Sequence, residues 1–249
     1  MRPECQYLLD HTRSVEAALE RNRFDLGALL LLEAGVPRVM TAPVSRTHRL
    51  QRVRFPVRTH RMTLRLPELA DVPDLKRMFR NPLTARAAGA PLHSKAEMRD
   101  PVEMVHRTRR EFRADAHLSL SVILNSSSAC IGRVGLRGLD WKWKKVESLS
   151  YWLDPRYWDQ GLTTEASWFL CRLAFGRLNM RRIGSQALDG NPASQAVLRR
   201  LGFVEEGRER AAVCVKGRSM DMVWFGLLAE ELRPLGDRSG PPVSRAGPA

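Results

Sequence analysis

Apolar and polar residues alternate in several short runs of this chain. In MTLRL, Met62, Leu64 and Leu66 alternate with Thr63 and Arg65, which predicts a strand with one buried face. HLSLSVIL sets Leu118, Leu120, Val122 and Leu124 on one side and predicts a second strand. NSSS then supplies a turn, ACIGRVGL a third strand and VESLSYWLDP a fourth, with the polar, aromatic run DWKWKK as the hairpin tip between them. EASWFLCRLAFGRLN reads as a helix and RRIGSQAL as a strand. The loop DGNPAS leads into a helix ending at LRRLGF. After Phe203, two antiparallel strands fit, turning at Lys216 to Arg218.

Capping residues and prolines set the remaining boundaries. Residues Ser14 to Ala34 read as helical, with Ser14 as cap and Gly35 and Pro37 as the stop. Asp71 is placed to cap a helix that buries Leu75, Met78 and Phe79, and Asn81 with Pro82 ends it. Ser94 and Glu97 have capping-box spacing, while Asp100, Pro101 and Glu103 start a helix reaching about Phe112. Pro37 to His60 shows neither period and reads as linker. Pro234 to Ala249 holds four prolines and three glycines without an apolar anchor, the pattern of a disordered tail. The expected organisation is a helical appendage with a basic linker over 1–58, a single domain over 59–233 and the tail over 234–249. Its class is α+β, with mixed α/β character. A helix between the strands at 146–153 and 182–188 makes a right-handed crossover the simplest connection, so those strands should be parallel neighbours.

Composition narrows the partners. The 249 residues carry 41 basic against 27 acidic side chains, a formal charge of +14, which favours an acidic partner such as a nucleotide, RNA or a ribosomal surface. Gly35 to Arg65 alone holds eight arginines and no acid, so this segment is either a ribosome or RNA tether or a solvated basic linker. No run approaches 18 apolar residues, and the N-terminus has neither a long apolar core nor a small-residue cleavage site, so a cytoplasmic protein without a membrane span is expected. Cys5, Cys130, Cys171 and Cys214 form no C-x-x-C pair, and none of the six histidines stands at i,i+4 to another. Reduced cysteines and no metal site follow.

The chemistry concentrates between Glu147 and Phe203. RYWDQGLTT puts Gly161 and the hydroxyls of Thr163 and Thr164 at a helix mouth, where unpaired N–H groups bind phosphate, although ordinary capping by Asp159 or Thr163 would look the same. Ser194 either caps the helix after DGNPAS or offers a proton to a leaving group. Trp141 and Trp143, with Lys142, Lys144 and Lys145, either stack on a base or form a solvated tip.

Taken in order, MTLRLPELADVPDLKRMF, CIGRVGL, SYWLDPRYWDQGLTTEA, NPASQAVLRRLGFVEEGRER and KGRSMDMVWFGLLAEE resemble the GCN5-related N-acetyltransferase (GNAT) superfamily. Within it they resemble the branch that includes ribosomal-protein N-terminal acetyltransferases, over about Thr59 to Leu232. The resemblance implies a central mixed sheet with a V-shaped splay between its fourth and fifth strands, and acetyl-CoA as cofactor. Pantetheine would pair with the backbone of Leu149 to Leu153, and pyrophosphate would rest on Trp158, Gln160, Gly161, Leu162, Thr163 and Thr164. Only Gly161 matches the strict loop pattern, and Asp159 stands where glycine is usual. Arg156, Arg199 and Arg200 are candidates to offset that charge, with Arg199 and Asn191 also assigned to the cofactor. Asn191 and Ser194 match the N-x-x-S loop whose serine protonates the departing thiolate; Tyr151 is a second donor. Ser148 occupies the strand position where a glutamate base is common in this branch, and Glu147, one residue early, is either a base reached by a bulge or a surface residue. The acceptor implied is a primary amine, a protein N-terminus or a small molecule. The alternative readings are a GNAT-fold interaction module with an impaired cradle, or a ribosome- or RNA-associated protein.

Overall fold

The computed structural model describes residues 49–87, 100–215 and 217–235. The predicted helix at 14–34, most of the linker, the capping box at Ser94 and Glu97, and the tail beyond 235 lie outside the described residues. The sheet lies in one compact unit, apart from its hairpin end at 213–219.

Eight strands form one mixed sheet: β1 (Val57–Arg58), β2 (Met62–Arg65), β3 (Leu118–Leu124), β4 (Cys130–Asp140), β5 (Lys145–Leu153), β6 (Arg182–Leu188), β7 (Val204–Val215) and β8 (Arg218–Leu228). Their spatial order is β1-β2-β3-β4-β5-β6-β8-β7. Pairing is antiparallel from β1 to β5 and between β6 and β8, while β5 and β6 are parallel, as the crossover predicts. The helices are α1 (Val72–Phe79), α2 (Pro82–Ala87), α3 (Pro101–Arg113), α4 (Leu162–Gly176) and α5 (Pro192–Leu201).

The alternation seen in the sequence sorts side chains onto two faces. On one, Leu64, Leu120, Val122, Ile131, Leu149 and Leu153 join a buried cluster with Leu162, Leu170 and Ala174 of α4 and Leu198 of α5. On the other, Ile123 and Cys130 pack under Val72, Leu75 and Met78 of α1 and Met104 and Val105 of α3, with Phe79 tilted against Trp152 at 5.1 Å. Cys130 and Cys171 are buried, and burial pushes the Cys130 thiol up to about 11, which keeps it protonated and unreactive.

Several local expectations change. Asp71 does not cap α1. It is buried, takes both ends of the Arg65 guanidinium (2.6 and 3.0 Å) and accepts from Ser121 Oγ and the Glu68 N–H, so it bolts β2, β3 and the helix entry together. Asp100 does cap, accepting from the N–H groups of Val102 and Glu103. Pro82 starts α2 as well as following α1. Residues read as linker also join the domain: Leu50 is fully buried, Phe55 meets Phe112 edge-on, and β1 pairs with β2. At the DWKWKK tip, Trp141 is tied down by a bond from its Nε1 to the Asp115 carbonyl, while Trp143 is exposed.

Candidate active site

The site begins where β5 and β6 part. Their parallel ladder pairs only Lys145 with Arg182 and Val146 with Ile183. Beyond it, the Leu149 carbonyl accepts from the Ser185 hydroxyl of β6 at 2.9 Å, a side chain bridging a space too wide for a backbone pair. On the other edge of β5, the N–H of Asp154 donates to the Ile131 carbonyl, which continues the pairing with β4. The N–H and C=O of one strand residue point the same way and alternate along the strand. Leu149, Tyr151 and Leu153 therefore aim their backbone groups into the gap. The Leu153 carbonyl there accepts from Trp158 Nε1 at 2.9 Å.

The gap opens toward the turn before α4. Gly161 is the N-cap, at φ +72, and no side chain caps the helix. The N–H groups at its start, from Leu162 to Thr164, thus receive no capping oxygen from Gly161. A Cβ placed on Gly161 would meet only Arg61 Nη2, at 3.8 Å, so the cradle has room above it. Asp159 adopts φ +58, the left-handed conformation that glycine takes most easily; the side chain that replaces glycine is exposed. Arg61 locks the turn, donating to the Gln160 carbonyl (2.8 Å) and to Glu165 Oε2 (2.7 Å), while Thr59 Oγ1 donates to the other oxygen of the same buried carboxylate. Gln160 donates its side-chain amide to the Arg156 carbonyl. Two of the three cations suggested to offset Asp159 are engaged elsewhere: Arg156 binds Asp154, and Arg199 binds Gln195 and Glu205 and lies over the Phe225 ring. Arg199 also sits roughly 8 Å farther along the α5 axis than Ser194.

At the mouth of the gap stands the start of α5. Asn191, not Ser194, is the N-cap, its side chain accepting from the Ser194 N–H at 3.1 Å. That arrangement frees the Ser194 hydroxyl, which lies 3.1 Å from Tyr151 Oη; the phenol is also 3.0 Å from the Ser194 carbonyl. The two candidate donors thus meet. Burial drives the Tyr151 phenol well above its ordinary range, with the Ser194 contact opposing, so it stays protonated.

The opposite face of the sheet, under α3, holds a cleft open to solvent. Ser150 and Trp152 of β5 line it beside Arg133 and Arg137 of β4 and Arg107 and Glu111 of α3. Glu147 is exposed and packs over Gly138, where an added Cβ would fall 2.3 Å from the carboxylate, and it does not line the cleft. Strand alternation puts Ser148 on the cleft side and Glu147 on the other.

A splayed strand pair, an uncapped helix N-terminus after a left-handed turn and a hydroxyl at the gap define the class: an acyltransferase that takes a thioester of coenzyme A. Residues 61–204 match the acetyltransferase (GNAT) domain. The chain belongs to that family and is an acetyl-CoA-dependent N-acetyltransferase. It is 35% identical over 123 residues to YdaF of Bacillus subtilis, whose name classes it provisionally as a ribosomal N-acetyltransferase; the match covers 49% of this chain and 66% of that protein. Among solved structures, a probable acetyltransferase superposes with a TM-score of 0.62 at 27% identity, covering 71% of this chain and 98% of that one. The microcin C7 self-immunity acetyltransferase MccE, solved with acetyl-CoA and AMP, shares the fold, with a TM-score of 0.58 at 20% identity and coverage of 68% and 93%. No described helix is long and apolar enough to cross a membrane.

Proposed function

We propose that this chain acetylates a primary amine that enters through the cleft under α3, while the cofactor arm lies in the gap between β5 and β6. The observation that carries this reading is the end of β5–β6 pairing after Val146 and Ile183, which leaves the backbone of Leu149 to Leu153 facing a gap that opens at the uncapped start of α4. When bound, acetyl-CoA supplies an acetyl group activated as a thioester. The backbone of Leu149, Tyr151 and Leu153 would hold its arm. The N–H groups of Leu162, Thr163 and Thr164 would hold its phosphates, with Trp158 and Gln160 bracing the turn.

The Leu153 N–H is aimed to stabilise developing charge on a carbonyl oxygen in the gap. Ser194 is the proton donor. The single Tyr151 proton can go to the Ser194 carbonyl or to Ser194 Oγ, and only the second choice turns the serine proton toward the gap. Glu111 is the carboxylate lining the cleft and accepts the proton of the entering ammonium, directly or through water. Glu147 has no part in this scheme. A ribosomal acceptor is supported by the name of YdaF, and the arginines ahead of Arg61 would then serve the ribosome encounter.

Thiol release from acetyl-CoA over a panel of amines and N-terminal peptides tests the reading. Ser194→Ala and Glu111→Gln should each lower kcat by about 10²-fold, and Glu147→Gln should leave it within about twofold. Absence of saturable acetyl-CoA binding at millimolar concentration would overturn it.

A further inference from the structure

We propose that Arg61 is a positioning residue for acetyl-CoA: rooted just ahead of β2, it holds the turn before α4 in the shape that receives the cofactor's diphosphate. The inference rests on the acetyl-transfer reading and names the side chain that builds its phosphate site.

The turn needs a hold from outside. Asp159 at φ +58 and Gly161 at φ +72 both adopt the left-handed conformation, the first without glycine's freedom. Between them lies the Gln160 carbonyl, which accepts from Arg61 Nη1 at 2.8 Å. A peptide unit is planar and trans, so fixing that carbonyl also fixes the direction of the Gly161 N–H across the same plane. The N–H groups that open α4 follow directly along the chain.

The same guanidinium grips the helix. Glu165, in the first turn of α4, is buried, and its Oε2 meets both Nε and Nη2 of Arg61 at 2.7 Å. Thr59 Oγ1 donates to Oε1 at 2.6 Å. Arg61 therefore ties the turn to the helix that the turn leads into. Its own root is fixed as well. The Arg61 carbonyl accepts from the Asn125 N–H at 3.0 Å, and the Asn125 side-chain amide donates to the Thr59 carbonyl at 3.2 Å. A planar fork anchored at both ends loses little freedom when a ligand arrives.

Charge adds a second effect. A lone carboxylate in the first turn of α4 would oppose a phosphate at the helix start. Arg61 neutralises it, and the pair has a direction. A Cβ on Gly161 would meet Arg61 Nη2 at 3.8 Å and not the carboxylate, so the cationic end faces the floor of the cradle.

The test compares two donors with the full-length protein: acetyl-CoA, and S-acetylpantetheine, which has the thioester arm but no diphosphate. Arg61→Lys keeps the charge and loses the fork. Arg61→Gln combined with Glu165→Gln removes both charges, so that no unpaired carboxylate is left buried. In each variant the preference for acetyl-CoA, as a ratio of kcat/KM values, should fall about tenfold through KM, while S-acetylpantetheine stays within about twofold. Thermal melts confirm folding, and a merely structural loss would lower both donors together. An unchanged ratio in both variants, or an equal fall for the two donors, overturns the proposal and leaves the acetyl-transfer reading standing. If no amine is acetylated, calorimetric titration of coenzyme A decides. Binding weakened about tenfold in the variants upholds the role of Arg61, equal binding overturns it, and absence of binding to the unaltered protein overturns both readings.

Discussion

Asp159 shows how one residue can serve the fold and tax the ligand. Its φ of +58 is tolerated by aspartate better than by most side chains, so the turn forms without glycine. Its charge lies near the positive end of α4, which favours the helix by about 0.3–1 kcal/mol but competes with any phosphate there. Asp159→Asn keeps the left-handed tolerance and removes the charge. It should lower KM for acetyl-CoA by about two- to fivefold at low ionic strength, with the gain shrinking as salt is added. Unchanged KM at low salt would mean the carboxylate does not feel the phosphates. At this scale the sequence was partly legible. The glycine-like demand at 159 and the N-x-x-S spacing could be read directly. The helix cap could not, because Asn191 and Ser194 are both good capping residues and only the backbone path decides between them. Arg61 was hidden among eight arginines between 35 and 65, with no periodicity to single it out.

Among the elements, the strands were the most legible, because a half-buried strand writes its period into the sequence. β3, β4 and β5 fall close to where alternation put them. β1 escaped notice because two residues are too short to show a period. The extent of β5–β6 pairing was also beyond sequence pattern: both strands look continuous, and only the resemblance suggested that they part. Ser185 is the residue that finishes the separation, since its buried hydroxyl satisfies the Leu149 carbonyl that a paired β6 would have used. Ser185→Ala should cost about 1–2 kcal/mol in denaturant unfolding through loss of that bond. A neutral result would show that water replaces the hydroxyl readily. The arginine-lined cleft, assembled from β4, β5 and α3, had no sequence signal, because its members come from three segments far apart in the chain.

For the molecule as a whole, the domain extends farther toward the N-terminus than hydropathy suggested, since Leu50, Phe55 and Val57 pack on its core. The basic excess of the chain does not translate into unpaired surface charge everywhere. At the exit of β5, burial opposes ionisation of Asp154, yet hydrogen bonds and charge from Arg156, with Arg77 nearby, hold its carboxyl below the usual 3.8. A folded-state value below the unfolded one means that Asp154 stabilises the fold fully above about that pH, and the contribution disappears as acid protonates the folded carboxylate. Asp154→Asn should therefore cost about 1–2 kcal/mol near neutrality, through loss of the charge-assisted cap on the turn at 155–157. Melts repeated at lower pH should show the two proteins converging below pH 3.8. A difference independent of pH would assign the loss to packing.

The parting of β5 from β6 leaves one strand zipped on its left and open on its right. Deuterium uptake should record this as an odd–even stripe: the amides of Ser150 and Trp152, bonded toward β4, exchange slowly, while those of Tyr151 and Leu153 exchange faster. Such a stripe within a single strand cannot arise from fraying, which would grade smoothly toward the end. It should fade on addition of coenzyme A as the arm supplies the missing neighbour, so the free protein carries in its own exchange pattern the outline of the chain it is built to receive.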